Sequence, residues 1–211
     1  MRKSLRSIGA FLALALTQVV QAQTPLDKYL EQLKTLRTEF SQVVTDGGGK
    51  QVQQATGKLV IVRPGRFRWE LTPDGADESA QLMISDGRNL WFYDRDLEQV
   101  SVKPAATALT ATPASLLSGE GDIRELFTVK SAGRKDGLEW VSVVPRSADA
   151  DFREARLGFA KSDLKRMVLK DKLGQTAELD FQVSQRNTSV AETEVTFAPP
   201  DGADVIGTPL P

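Results

Sequence analysis

Apolar and polar residues alternate with a period of two through most of the sequence, and this alternation restricts the chain to a mainly β fold. In the segment 65–71, Phe67, Trp69 and Leu71 occupy every second position and charged residues stand between them, which predicts a strand with one apolar and one wet face. Further strands are predicted at 57–63, 80–85, 89–94, 98–102, 126–130, 138–144, 152–159, 164–170, 176–185 and 190–197. About ten short antiparallel strands indicate a sandwich or a rolled sheet, not a βαβ fold.

One long stretch near the start has a helical period instead. A Thr24-Pro25 pair, typical of an N-cap and first helical position, precedes apolar residues at helical spacing from Leu26 through Leu30 and Leu33 to Phe40. We therefore predict an amphipathic helix of about four turns over Leu26–Phe40 that lies on the sheet.

The middle of the chain also interrupts the alternation. Thr112-Pro113 is a second helix start, Leu116 and Leu117 follow it, and Gly119 is a typical stop. Another short start is predicted at Asp122. These helical pieces are expected to cross the concave side of the sheet or to plug one end of it.

The sequence contains neither histidine nor cysteine among its 211 residues. This excludes Ser-His and Cys-His nucleophile pairs, zinc fingers, iron–sulfur clusters and ordinary zinc hydrolase sites. No catalytic residue, cofactor or metal site is predicted. What remains is carboxylate, Lys or Tyr chemistry, an oxygen-ligated cation, or no chemistry at all. A length of 211 residues favours a single domain.

The first 22 residues have the features of a cleaved secretory signal peptide. Arg2, Lys3 and Arg6 precede an apolar run, and small Ala22 marks a cleavage point. A retained membrane anchor is the alternative, but the run is short for a spanning helix. Residues 23–211 would then form one domain with 24 basic and 28 acidic side chains. This mildly acidic balance argues against nucleic acid as a partner and, with the signal peptide, predicts a soluble protein of an export compartment.

Two strings of residues resemble the LolA family of outer-membrane lipoprotein carriers of Gram-negative periplasms. They are RPGRFRW at 63–69 and SDGRNLWFY at 85–93, and the likeness extends from about residue 26 to the C-terminus. The family implies an incompletely closed antiparallel β-barrel, a half-barrel with helices over its apolar concave face. It also implies a periplasmic monomer that accepts acylated lipoproteins from an inner-membrane ABC transporter and delivers them to an outer-membrane receptor lipoprotein. Such receptors are anchored through an N-terminal cysteine, so the absence of cysteine favours the carrier.

Large apolar residues of the predicted strands are the candidate wall of a lipid-binding cavity. Burial of acyl chains is worth about 0.8 kcal/mol per methylene, so cargo of this kind needs a large apolar surface. The candidate wall consists of Leu59, Ile61, Phe67, Trp69, Leu71, Leu82, Ile84, Leu90 and Phe92. Leu30 and Leu33 of the first helix, with Leu116 and Leu117, are the candidate lid. Ordinary core packing is the alternative for Phe67, Trp69 and Leu71, and both interpretations hold if the wall of an empty carrier is its core.

Arg63 is the candidate latch of this lid. Counting by two from Leu59 and Ile61 places it on the apolar face, just before Pro64 ends the strand. A buried guanidinium needs partners, and the carbonyls at the C-terminal end of a lid helix would serve. At the corresponding position the family has an arginine that bonds to backbone oxygens and holds the lid closed. The alternative is an arginine that reaches into solvent from a strand end.

Two other function classes stay open at this point. The same half-barrel would suit a periplasmic domain that senses lipids or lipoproteins and regulates a signalling partner. A carboxylate-based glycosidase would need two acids that face one groove, but no such pair stands out among residues that lie mostly on turns or wet faces.

Overall fold

The computed structural model describes residues 23–78, 80–108, 113–119, 122–148, 150 and 152–211. The predicted signal peptide and the Thr112 cap lie outside these residues. The strands are β1 (Thr35–Thr45), β2 (Gln51–Val62), β3 (Arg66–Pro73), β4 (Gln81–Asp86), β5 (Asn89–Asp94), β6 (Gln99–Pro104), β7 (Phe127–Lys135), β8 (Leu138–Pro145), β9 (Phe152–Ala160), β10 (Asp163–Asp171), β11 (Thr176–Arg186) and β12 (Asp204–Ile206). The helices are α1 (Pro25–Gln32), α2 (Ala105–Ala108), α3 (Pro113–Ser118) and α4 (Ile123–Leu126), and a 3₁₀ helix spans Glu192–Glu194.

All strands belong to one open sheet in the order β12-β6-β5-β4-β3-β2-β1-β11-β10-β9-β8-β7. Every pairing is antiparallel except that of β12 with β6, which is parallel. Strands β7 and β12 form the two edges, so the sheet does not close on itself. The mainly β fold predicted from the alternation, with an incompletely closed antiparallel sheet, is confirmed.

The sheet curves around α1. The ring centroid of Tyr29 lies 5.6 Å from that of Phe159 in β9, while the carbonyl oxygen of the next residue, Leu30, accepts a hydrogen bond from Arg63 at the end of β2. Four strand spacings separate β2 from β9, which is roughly 19 Å in a flat sheet. One eight-residue helix reaches both strands because the sheet is rolled, and α1 lies on its concave side.

The predicted first helix is too long. The structure ends α1 at Gln32 and begins β1 at Thr35, so Leu36 and Phe40 lie on a strand. The error has a physical reason, because a spacing of four residues places side chains on one face of a helix and also on one face of a strand. Burial in β1 alternates at Leu36, Thr38 and Phe40, as a period of two requires.

The predicted strand at 190–197 is also wrong. This part of the chain contains the 3₁₀ helix and no strand, and it belongs to the segment 191–211, here named the C-terminal strap. The strap crosses the outer face of the sheet to reach the β6 edge, where β12 adds the parallel strand. Ion pairs Arg37–Glu194 (2.5 Å) and Arg66–Glu192 (2.7 Å) hold its beginning.

The sheet separates two apolar clusters. The main cluster lies between the concave face and the helices α1 and α3, and it contains most of the buried aromatic and aliphatic residues. The second cluster lies on the outer face of β4, β5 and β6, where the strap covers it with Phe197 and Ala203. The outer face of β3 is polar by contrast, with Arg68 and Glu70 paired at 2.5 Å.

Candidate functional site: the concave face and its lid

Most of the predicted wall lies on the concave face. Leu59, Ile61 and Phe67 are fully buried in the main cluster, and Leu71 is buried at its margin. Trp69 is partly buried and packs against the same cluster, with its ring 4.6 Å from that of Phe40 in β1. The alternation read from the sequence therefore placed the side chains of β2 and β3 on the correct face.

Two predicted wall residues, Leu82 and Ile84, do not lie there. They belong to the second cluster, with Trp91 and the strap. The hairpin between β4 and β5 pairs Ile84 with Trp91 and Leu82 with Tyr93, and residues directly opposite in an antiparallel pair share a face. Even-numbered residues of β4 therefore lie with odd-numbered residues of β5, on the outer side of the sheet.

The other two wall residues predicted in this hairpin are Leu90 and Phe92, and they lie on the concave side of the sheet. Leu90 packs against the main cluster. Phe92 is half-buried and pairs with Met83, which packs against the main cluster as well. Met83 is thus the β4 residue on the concave face in place of Leu82 and Ile84, because its position in the register matches that of Phe92.

Helices α1 and α3 cover the concave face, and they are named the lid. In α1, Leu26 and Tyr29 are buried, Leu30 packs against the main cluster and Leu33 is buried at the C-cap. Leu116 and Leu117 of α3 are buried in the same cluster. The predicted wall and these helices form one continuous core, so the space next to the wall is filled by side chains of α1 and α3.

Arg63 joins the two lid helices to the end of β2. Its Nη1 donates to the carbonyl oxygen of Leu30 in α1 at 3.3 Å, and its Nη2 donates to that of Gly119, directly after α3, at 2.8 Å. The Leu30 carbonyl is one of those that the last turn of a helix leaves without a partner. Burial lowers the pKa of the Arg63 guanidinium, and within the described ranges no carboxylate lies at ion-pair distance from it.

The backbone next to Arg63 also holds α3. The amide of Gly65 donates to the carbonyl oxygen of Ser118 at 2.7 Å, and the hydroxyl of the buried residue Ser85 donates to the carbonyl of Gly65 at 2.6 Å. The hydroxyl of Ser118 itself is buried and has no hydrogen-bond partner among the described atoms. An unpaired buried hydroxyl costs about 1–3 kcal/mol, so the packing of α3 contains one locally unfavourable feature.

A second arginine contacts the other end of α1. Both terminal nitrogens of Arg124 in α4 donate to the carboxylate of Asp27, one of them at 2.8 Å. Burial tends to raise the pKa of Asp27, but hydrogen bonds from Arg124 and Thr24 outweigh it and hold that pKa below its usual value. The two residues are 97 positions apart, and no local sequence signal pairs them.

A groove of about 460 Å³ opens beside the lid between these two arginines. Most of its lining residues are polar or charged, Glu31, Arg63, Asp122 and Arg124 among them, and Leu30 and Ile123 are the apolar ones. The groove lies where α1 and α4 meet.

Several aromatic residues of the concave face were not assigned to the wall from the sequence. The rings of Phe40 and Phe181 lie 6.2 Å apart on β1 and β11, and Tyr29 packs on Phe159 of β9. The period of two in β1 contains a signal for Phe40, but the helical spacing of the apolar residues before it obscured where the strand begins. Within the described part of the chain, no group of His, Cys, Asp or Glu side chains has an arrangement that could hold a metal ion, and no helix is long and apolar enough to cross a membrane.

Comparison with known proteins gives a consistent result. A chain from Dechloromonas aromatica named outer-membrane lipoprotein carrier protein is 39% identical over 201 residues, which cover 95% of each chain. A protein of the same name from Methylobacillus flagellatus is 37% identical over 207 residues, 93% of this chain and 98% of the relative. The crystal structure of an uncharacterized conserved protein from Thermus thermophilus shares the fold, with a TM-score of 0.53 and 18% identity over 86% of this chain and 96% of that one. The family model described as outer membrane lipoprotein carrier protein LolA matches residues 31–198, and the chain belongs to this family.

Proposed function

We propose that the protein carries acylated lipoproteins across the periplasm, with their acyl chains buried against the concave face of the sheet. It accepts them from an inner-membrane ABC transporter and delivers them to an outer-membrane receptor, without catalysis. The shared name of the relatives supports this function over that of a lipid-sensing domain. The predicted signal peptide at residues 1–22 would place the protein in that compartment.

The observation that carries this proposal is a continuous apolar wall whose cover is two short helices. Leu59, Ile61 and Phe67 are fully buried beneath α1 and α3, helices of eight and six residues. An acyl chain of roughly 16 carbons gains on the order of 12 kcal/mol from full burial. Displacement of the lid by acyl chains exchanges one set of apolar contacts for another, which keeps uptake reversible.

Arg63 is proposed to hold the lid over an empty wall. Its partners are two neutral carbonyls on different lid segments, so one side chain closes both. Hydrogen bonds from a charged group contribute about 1.5–3 kcal/mol. This is enough to favour the closed state and small beside the burial of an acyl chain, so cargo binding can open the latch.

Lipoprotein release from inner membranes tests the carrier function. Detergent-free inner-membrane vesicles that contain the transporter are incubated with ATP and the mature protein, and the supernatant is examined for a one-to-one complex with a lipoprotein. The complex is expected with the wild type. If no lipoprotein becomes soluble, the protein is not a carrier.

Hand-over to the receptor tests the latch. We expect Arg63→Leu to fold and to load, but to retain its cargo, because loss of the closed empty state favours the loaded one. Hand-over should slow roughly tenfold or more. Arg66→Leu is the matched control, since Arg66 lies on the outer face and pairs with the exposed Glu192. Normal hand-over by Arg63→Leu would remove the latch role and leave carriage intact.

A further inference from the structure

The two ends of α1 are attached to the molecule in different ways. Its C-terminal end continues through Leu33 and Lys34 into β1, and the carbonyl of Lys34 accepts a hydrogen bond from the amide of Arg63 at 2.8 Å. Helix α1 is the first element of the described part of the chain, so the backbone there joins it to the sheet through its C-terminal end. A helix of eight residues is about 12 Å long, and one attached through its C-terminal end can swing about that end.

The N-terminal end of α1 is fixed by a side-chain contact. The carboxylate of Asp27, whose side chain is only 9% exposed, accepts both hydrogen bonds from Arg124. The same carboxylate accepts from the amide of Thr24 at 2.6 Å and from its hydroxyl at 2.8 Å. The pair therefore restrains the cap of the helix together with its first turn.

Arg124 is in turn fixed to the far edge of the sheet. It lies in α4, which leads directly into β7. The carbonyl of Arg124 accepts from Nε of Arg146 at 2.9 Å, and the amide of Arg146, directly after β8, donates to Leu126 at 2.9 Å. Asp27 is thus connected through α4 to the β7–β8 side of the half-barrel, whereas Arg63 connects the lid to the β2 side.

We propose that Asp27 and Arg124 form a clasp that holds the N-terminal end of α1 on the β7–β8 side and sets how readily the lid opens. This proposal rests on the carrier function. The clasp and the latch differ in chemistry, because a two-pronged arginine–carboxylate contact is stronger than hydrogen bonds to neutral carbonyls. Since the clasp lies opposite the attached end of α1, the helix cannot swing away from the wall while the pair is intact.

Hydrogen exchange of the α1 amides in the mature, cargo-free protein tests the clasp. Arg124→Gln keeps most of the side-chain length but removes the charge, and it should speed α1 exchange about tenfold while exchange in β9 stays unchanged. Arg166→Gln is the matched control. Arg166 makes an equivalent two-pronged contact with Asp180, at 2.6 and 2.9 Å, between β10 and β11, and its loss should not affect α1.

Three further variants separate a clasp from a general structural role. Asp27→Asn should speed α1 exchange about as much as Arg124→Gln, and the double variant should add little, because both changes break the same contact. Arg124→Lys keeps the charge, and it should recover part of the protection. Unchanged α1 exchange in Arg124→Gln, or fully additive effects in the double variant, would overturn the proposal. Because no cargo is present, these results are independent of the lipoprotein-release assay. If α1 exchange supports the clasp but no lipoprotein is released, only the carrier function is ruled out.

Discussion

The unpaired hydroxyl of Ser118 predicts a single substitution that stabilises the protein. Ser118→Ala removes a buried group without a hydrogen-bond partner among the described atoms, and alanine also favours the helix. We expect the free energy of unfolding in urea to rise by about 1 kcal/mol with an unchanged m-value. Ser85→Ala is the matched control, because the equally buried hydroxyl of Ser85 donates to Gly65. The control should lose stability, and a loss in Ser118→Ala as well would show that its hydroxyl is satisfied.

Asp27 predicts a pH dependence with a definite sign. Its pKa in the folded protein lies below the usual value of 3.8, so the folded state favours the ionised carboxylate. The stabilisation is fully present above the unfolded pKa and is lost as pH falls through the lowered folded pKa. The difference in unfolding free energy between wild type and Asp27→Asn should be constant above about pH 5 and shrink below about pH 4. A difference that persists unchanged to about pH 3 would contradict the lowered pKa of Asp27 in the folded protein.

Among the elements, the pairing of β1 with β2 depends on one glycine. Gly57 lies opposite Phe40 in the register, and a Cβ there would come 2.1 Å from Cζ of Phe40 and 2.5 Å from the carbonyl oxygen of Glu70. The ring of Phe40 needs this space to lie against Trp69. Gly57→Ala should therefore reduce the free energy of unfolding by roughly 1–3 kcal/mol, because overpacking displaces a buried ring and the backbone.

Two comparisons check the origin of this effect. At Gly47, in the turn after β1, a Cβ would meet only ordinary contact at 3.7 Å, so Gly47→Ala should be nearly neutral. Phe40→Leu should weaken the penalty of Gly57→Ala when the two are combined, since the smaller side chain leaves room. Equal stability of Gly57→Ala and the wild type would show that the ring moves aside without cost.

The limits of the sequence are visible in two elements. Strand β3 was predicted with its correct faces because Phe67 and Trp69 alternate with charges on an outer face that solvent contacts. In β4, both faces are apolar, since Leu82 and Ile84 meet the strap while Met83 meets the main cluster. Alternation carries no information where both sides of a sheet are covered, so the outer cluster could not be distinguished from the cavity wall.

The candidate site also contains one contact that the sequence could predict and one that it could not. The local frame around Arg63 was sufficient to predict a guanidinium on the apolar face with carbonyl partners. The partner of Asp27 was not predictable, because Arg124 is brought to it only by the closure of the whole half-barrel. Contacts between distant parts of the chain depend on topology, which a single sequence does not specify at the level of side chains.

For the whole molecule, the sheet separates an apolar layer beneath the helices α1 and α3 from one beneath the strap. The concave layer faces the lid, which arginines hold to the sheet by hydrogen bonds. The outer layer is sealed by the strap, with the ring of Phe197 lying 5.6 Å from Trp91 and 6.0 Å from Tyr93. The strap also ends on the sheet, where Asn89 exchanges hydrogen bonds with the backbone of Leu210 at 2.8 and 3.1 Å. If the lid opens as proposed, we therefore expect the outer layer to stay intact.

This division predicts opposite behaviour of two substitutions. Phe197→Ala removes a partly buried ring from the outer layer and should lower the free energy of unfolding by roughly 1–3 kcal/mol, yet leave binding of an apolar fluorescent dye to the folded protein unchanged. Arg63→Leu should instead increase dye binding and leave the free energy of unfolding nearly unchanged, because it frees the lid above the concave wall while the strap stays in place. Denaturant unfolding and dye titration on the same samples make the comparison. Strong dye binding by Phe197→Ala in the absence of denaturant would show that the two layers open together. Loss of the strap contact on the outer face would then have loosened the lid on the concave face.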